Sequence, residues 1–519
     1  MPALSVIART AYGTVRGRPD DRVPGVTAYL GVPYAAAPFG PDRFRAPRAP
    51  EVWDGVRDAV TFGATAPAPR SRPPFDVLMP IADIPGEHCL NLNIWTPGGE
   101  GLPVLVWLHG GGFQHGSNSY DLYGGANFAR DGVVFVGVNY RLGFEGFALL
   151  PGAPANRGLR DQIAALEWVR ENIAAFGGDP RNVTLVGNSA GGACVAALLS
   201  LDLGLFRRAV VQSGSAGWVQ APEDAMLVTG EAAGRLGVEP TAEGFATLDS
   251  ARIAEVQGAI EGEVNAWPDP ERWGPTTAAA AMSTQPVLDG DLLVRAPLHA
   301  LAAGAGKDVP LLTGYTSEES RLFMVPTGAA EMLTHDMVTA TARATGVPDE
   351  VLAAYRERYA DLSPGELLTV LDSDRHFRIP AYDLAEAHAG TTWMYEFGWR
   401  SSVGDLGACH VLEVGFVFDN LHAHEILAGP DAPQGLADAM HRAWTGFATH
   451  GDPGWDRYDL PGWDRYDLPG WDRYDLGTRR VRLFDGAGDQ VVHDPIARNR
   501  DLWRGSAEAG DHRPLMHRR

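Results

Sequence analysis

Gly187-Asn188-Ser189-Ala190-Gly191 is a G-x-S-x-G stretch set between the apolar run VTLV and the helix-forming run GACVAALL. A serine at a sharp strand-to-helix turn presents its hydroxyl, needs small neighbours, and faces the positive end of the helix. That is the placement of a nucleophile. Upstream, His109-Gly110-Gly111-Gly112-Phe113 closes a second apolar run, LPVLVWL. Three consecutive glycines cost backbone entropy, and close approach of bare amides to a ligand oxygen is a reason to bear that cost. With a serine nucleophile downstream, the amides of Gly111, Gly112 and Ala190 are the candidate donors of an oxyanion hole.

Such residues need a rigid frame. Leu102–Leu108, Val133–Asn139, Val183–Gly187, Arg208–Gln212, Val309–Gly314 and Trp393–Phe397 are short apolar runs bounded by Gly, Pro or Asn, the pattern of buried strands. The clearest helix carries Leu159, Ile163, Leu166, Val169, Ile173 and Phe176 on one face. Asn156 is its expected N-cap, and Gly177-Gly178 followed by Asp179-Pro180 is its stop. The alternation predicts an α/β fold: a large, mostly parallel central sheet flanked by helices. Residues 222–283 and 327–372 are Ala-rich and helical in pattern, expected as insertions forming a cap or gorge wall on one domain spanning 1–519.

Composition narrows the function. The 519 residues carry 43 Lys+Arg against 65 Asp+Glu, a formal charge of −22, which disfavours polyanions and argues against a nucleic-acid partner. No apolar run reaches the length of a membrane span, and the N-terminal MPALSVIARTAYGTVRG lacks the pattern of a signal peptide. Cys89, Cys194 and Cys409 are too few and too scattered for a disulfide scaffold. A cytoplasmic protein without metal or cofactor is expected.

Further motifs run along most of the chain: GVPYAAAPFGPDRFRAP (Gly31–Pro47), EHCLNLNIWTP (Glu87–Pro97), NYRLGFEGF (Asn139–Phe147), GLRDQIAALEWVRENIAAFGGDPRNVT (Gly158–Thr184), QSGS, PVLDG, GYTSEES and GACHVLEVGFVF. With these and the two glycine motifs, the chain resembles the type-B carboxylesterase family of cholinesterase-like α/β-hydrolases. The resemblance implies a serine–glutamate–histidine triad. Ser189 matches the nucleophile, and His410 of GACH the base. The family places its acid five residues after the glycine of GYTSEES, which selects Glu319 over Glu318.

Some positions depart from the family. Asn188 stands where the family commonly has Glu, and Glu413 matches a second family carboxylate three residues after the histidine. An Asn188–Glu413 hydrogen bond is expected behind His410, and an amide beside one carboxylate is not expected to raise a pKa as two carboxylates would. Ser320 replaces a usual Gly. Cys89 matches a position that is disulfide-bonded in secreted relatives, but no partner lies just upstream, so a free thiol is expected; Cys194 and Cys409 are expected as buried small hydrophobes. Phe113, Trp218, Phe323, Met324 and Phe416 fall near the triad motifs and are candidates for an acyl or alcohol pocket, against the alternative that they are ordinary core.

The function implied is hydrolysis of carboxylic esters, short-chain or aryl, through an acyl-enzyme; the partner is a small-molecule ester. Carbamates, amides or polyester oligomers are alternative substrates for the same triad. A non-catalytic binding module is disfavoured because serine, acid, histidine and glycines are all present. One feature serves none of these roles: PGWDRYDL occurs three times in succession, over Pro453–Leu460, Pro461–Leu468 and Pro469–Leu476. Three octamers cannot build a core of their own, so a tandem duplication in a surface loop is expected, with an aromatic platform of Trp455, Trp463 and Trp471 as the sharper alternative.

Overall fold

The computed structural model describes residues 6–454, 471–488 and 490–509. Among them, eleven strands form one sheet. In chain order they are Arg18–Pro19 (β1), Thr27–Pro33 (β2), Asn91–Thr96 (β3), Leu102–Leu108 (β4), Val134–Val138 (β5), Gly178–Asn188 (β6), Arg208–Gln212 (β7), Leu311–Thr316 (β8), Thr392–Phe397 (β9), Arg480–Phe484 (β10) and Gln490–His493 (β11). Across the sheet the order is β11-β10-β9-β8-β7-β6-β4-β5-β3-β2-β1. Strands β4 to β10 run parallel to their neighbours among themselves, and the antiparallel pairings lie at the two margins. A smaller sheet joins Ile7–Arg9, Thr14–Arg16 and Val56–Asp58.

Strands β5, β7, β8 and β9 are buried along their whole length because both faces are covered. Along β4 the side chains alternate between two cores: Val104, Val106 and Leu108 join one, Leu105 and Trp107 the other. Helices Arg157–Asn172 and Ala190–Leu199 pack in the first core, and Gln434–His450 in the second. The six strands read from sequence are all present. The five others lie at the margins of the sheet.

Helix Arg157–Asn172 ends as expected, through a short 3-10 turn and a left-handed Gly177. Its expected cap differs. Asn156 precedes the helix but makes no capping bond. Its side chain instead exchanges two hydrogen bonds with the backbone of Val287, at 2.7 and 2.8 Å, tying the helix to the segment that follows the first insertion. The two stretches of helical pattern carry helices, including Pro222–Leu236 and Ser250–Ala266 in the first and His335–Ala344, Asp349–Arg358 and Pro364–Ser373 in the second. The last runs directly into a π-helical turn, Asp374–Arg378.

The repeat divides. Trp455 and Trp463 lie outside the described residues. Trp471 is buried against Trp444 and Phe484, and its indole N–H donates to the Met394 carbonyl at 3.2 Å. Trp471 thus anchors the third copy to the core, while Asp472, Arg473, Asp475 and Leu476 of the same copy are exposed, as a surface loop would have them; the aromatic platform is not formed by Trp471. Among the described residues the three cysteines are free and buried, no helix is long and apolar enough to cross a membrane, and no cluster of three or more His, Cys, Asp or Glu could hold a metal. Burial pushes the thiols of Cys89 and Cys194 up to about 12.

Candidate active site

The chemistry-bearing residues gather at the carboxyl ends of parallel strands. Ser189 follows β6 and starts helix Ala190–Leu199 with φ 56 and ψ −125, a conformation that side-chain-bearing residues rarely adopt. It is half-buried and makes no capping bond to its own helix. Its backbone N–H is held by the Gln212 carbonyl of β7 at 2.8 Å. The small flanking residues are required by packing. A Cβ on Gly191 would sit 2.1 Å from the Leu108 carbonyl oxygen, and one on Gly187 would sit 2.4 Å from the backbone of Gly191.

The glycine loop after β4 lies against this elbow: a Cβ on Gly110 would be 3.0 Å from both the Ser189 Cβ and the Asn188 carbonyl. Gly111 (φ 118) and Gly112 (φ 59) occupy the left-handed side of backbone space. The amides of Gln114 and His115 donate back to the Gly111 carbonyl, at 3.0 and 2.9 Å. The Ala190 N–H is one of the unpaired donors of a helix start. Space beside Gly112 is open. His109 does not face this space as a free base. Its ring stacks on Tyr140 and bonds the Gly110 carbonyl at 2.8 Å, and burial pushes its pKa down to about 4.

Glu319, on the loop after β8, meets His410, on the loop after β9. Nδ1 of His410 and Oε2 of Glu319 are 2.5 Å apart, both side chains buried. The other Glu319 oxygen accepts the Thr316 N–H at 2.8 Å, and the His410 N–H donates to the Glu319 carbonyl at 3.1 Å. Glu318, rejected as the acid, points elsewhere: it accepts the Ala408 N–H. Ser320 donates its N–H to the Ser373 hydroxyl at 3.0 Å.

Behind the histidine, the Asn188 amide donates to Oε1 of Glu413 at 3.0 Å, and the Gln212 amide does so at 3.3 Å. Gln212 is itself held by the Trp444 indole at 3.1 Å. The Asn188 amide does not raise the Glu413 pKa, as expected, but the group is raised by other causes. Complete burial, then the negative charge of Glu319, push it up to about 8 despite the two amide donors. The amide neighbour spares Glu413 a second adjacent carboxylate but does not offset desolvation. Oε2 of Glu413 and Oδ1 of Asn188 have no partner among the described residues.

The five pocket candidates separate. The Phe323 ring lies 5.5 Å from His410, is 39% exposed, and continues to Phe75 at 6.4 Å. Trp218 reaches the site through Phe377, at 5.5 Å. Met324 is half-buried against the core cluster around Tyr315 and Tyr382. Phe113 and Phe416 are core: Phe113 packs edge-on to Phe147, and Phe416 packs on Phe397 and Trp399. Their proximity in sequence to a site motif reflected the strand and helix ends they anchor. Sequence reasoning missed Phe377, whose ring stands 4.6 Å from His410. The π-helical turn Asp374–Arg378 puts it there, and no local pattern marks it.

The chain matches the Carboxylesterase family over residues 5–481. It is 36% identical to the para-nitrobenzyl esterase of Bacillus subtilis (strain 168) over 476 residues, 86% of this chain and 90% of that one. It is 33% identical to a phenmedipham hydrolase of Pseudarthrobacter oxydans, covering 87% of this chain and 91% of the relative. A crystal structure of a Geobacillus stearothermophilus carboxylesterase superimposes with a TM-score of 0.80 at 35% identity, over 96% of this chain and 99% of the other. With the motifs, the sheet order and the buried contact of Glu319 with His410, these matches identify the chain as a member of the carboxylesterase family, a carboxylic ester hydrolase of the α/β-hydrolase fold.

Proposed function

We propose that this esterase cleaves small or aryl carboxylic esters through an acyl-enzyme on Ser189. His410 removes the serine proton and returns it to the leaving alcohol, while Glu319 fixes the imidazole tautomer and stabilises the imidazolium. Water, activated by the same imidazole, then releases the acid. The negative charge on the substrate carbonyl oxygen is met by the amides of Gly111, Gly112 and Ala190; loss of one such donor typically costs about 3–4 kcal/mol of transition-state stabilisation.

The observation that carries this reading is the buried 2.5 Å contact of Glu319 with Nδ1 of His410, which leaves Nε2 for the serine. Trp218, Phe323 and Phe377 favour flat or short groups, because rigid rings crowd the space beside His410.

The test is a p-nitrophenyl ester series from acetate to dodecanoate on wild type and Ser189→Ala, with phenyl carbamates, anilides and phenmedipham alongside. Short esters are expected to turn over fastest in wild type, and the variant to fall to background. A folded wild type inert to every ester would overturn the reading; faster turnover of carbamates than esters would replace the substrate class and keep the triad.

A further inference from the structure

Glu318 lies beside the proposed acid and is tied to the loop that carries His410. Its backbone N–H donates to the Ala408 carbonyl at 3.0 Å, and its own Oε2 accepts the Ala408 N–H at 2.9 Å. It thus holds both backbone polar groups of one residue, Ala408, two positions before His410. The next bond along is the His410 N–H to the Glu319 carbonyl, 3.1 Å. Together these three bonds zip the loop after β8 to the loop after β9, a pairing the sheet itself does not provide.

The grip is reinforced by charge. Arg400 places a guanidinium nitrogen 2.5 Å from the same Oε2, and Arg321 lies 3.9 Å from the other oxygen. Arg321 also holds the histidine loop by donating to the Asp405 carbonyl at 2.7 Å and pairing with the Asp405 carboxylate. The fit leaves no slack. Gly407 has φ 61, and a Cβ there would stand 2.4 Å from Oε2 of Glu318. Bonds of this kind, with an ionised acceptor, are shorter and stronger than neutral ones.

We propose that Glu318 is a positioning residue that sets the register of the base loop against the acid loop, and so the alignment of His410 with Glu319. It rests on the triad reading above. Both side chains of that pair sit on loops. A slip of about 1 Å is enough to cost on the order of a hundredfold in a proton-transfer alignment. The interaction depends on the reach of the Glu318 oxygen, since its distance to the Ala408 amide is what fixes the register.

Reach and charge predict opposite orders for two conservative variants. Glu318→Gln keeps the length and an acceptor oxygen but loses the charge; Glu318→Asp keeps the charge and shortens the side chain by one methylene. The proposal expects Glu318→Gln to retain most of wild-type kcat, while Glu318→Asp and Glu318→Ala lose about tenfold in kcat with KM within about twofold.

The controls are Ser189→Ala and His410→Ala. If either keeps wild-type activity, the triad reading fails. If both are inert while Glu318→Asp and Glu318→Ala turn over at wild-type kcat, or Glu318→Asp outperforms Glu318→Gln, the positioning role alone is overturned. Should Glu318→Ala not fold, the Gln and Asp order still decides.

Discussion

Glu413 is a carboxylate placed where water cannot reach it. Only one of its oxygens is satisfied, by the amides of Asn188 and Gln212. Its folded-state pKa of about 8 lies above the ordinary carboxyl value of about 4.5, so the folded chain keeps a proton that the unfolded chain releases. The contribution of Glu413 to stability is therefore greatest below about 4.5 and is lost as the pH rises towards 8. Glu413→Gln retains an acceptor for both amides and removes the titration. It is expected to gain stability relative to wild type as pH goes from 5 to 8.5, read as the difference in urea midpoint at each pH. A constant difference would mean that Glu413 does not change protonation on unfolding in this window. At this scale much of the site was legible. Ser189 and the glycines announce themselves because their constraint is local, a strained turn and bare amides. The Asn188–Glu413 contact was expected because the family motifs align the two positions. The high pKa was not, because it depends on total burial and on a distant Glu319. Phe377 was invisible, since it meets His410 from 33 positions earlier in the chain.

Elements explain why the elbow glycines cannot vary. Helix Ala190–Leu199 approaches β4 so closely that a methyl on Gly191 would press within 2.1 Å of the Leu108 carbonyl, and backbone cannot yield as a side chain would. Gly191→Ala must therefore push the helix off the sheet, moving the Ala190 amide and the Ser189 hydroxyl together. The expected cost is about 1–3 kcal/mol or more in denaturant titration, with a fall in kcat/KM larger than that stability loss alone would cause. Wild-type stability in this variant would mean that the helix has freedom to shift. The inner strands could be read from sequence because a strand covered on both faces is apolar throughout. The marginal ones could not. Thr27–Pro33 pairs antiparallel with an irregular register, and Arg480–Phe484 alternates charge with apolar residues. The π-helical turn is set by tertiary bonds: Asp374 accepts from Tyr355 and Asn499, at 2.6 Å each, which joins it to a helix near the other end of the chain.

For the whole molecule, the unexplained feature is the triplicated octamer, and the described residues on either side of it indicate how it is accommodated. A Cβ on Gly454 would lie 3.6 Å from the backbone nitrogen of Trp471, so the chain is at nearly the same point before residue 455 and after residue 470. From there the third copy is built into the fold. Trp471 fills the space between Trp444 and Phe484, the Tyr474 N–H donates to the Thr392 carbonyl at 2.8 Å, and Asp472 pairs with Arg480 at 2.6 Å. One copy of PGWDRYDL thus suffices for every contact described. Deleting residues 455–470 rejoins Gly454 to Trp471 and restores the natural Pro-Gly-Trp order, because Gly454 and Gly470 are equivalent in the repeat. The shortened chain is expected to keep the melting temperature and the kcat/KM of the parent. In that chain Trp471→Ala is expected to cost about 3–5 kcal/mol, the penalty for emptying a buried indole site. Loss of folding or activity on deletion alone would assign the first two copies a role in the fold or the site. Tolerance of both changes would show that the Trp471 socket contributes little to holding β9 and β10 together.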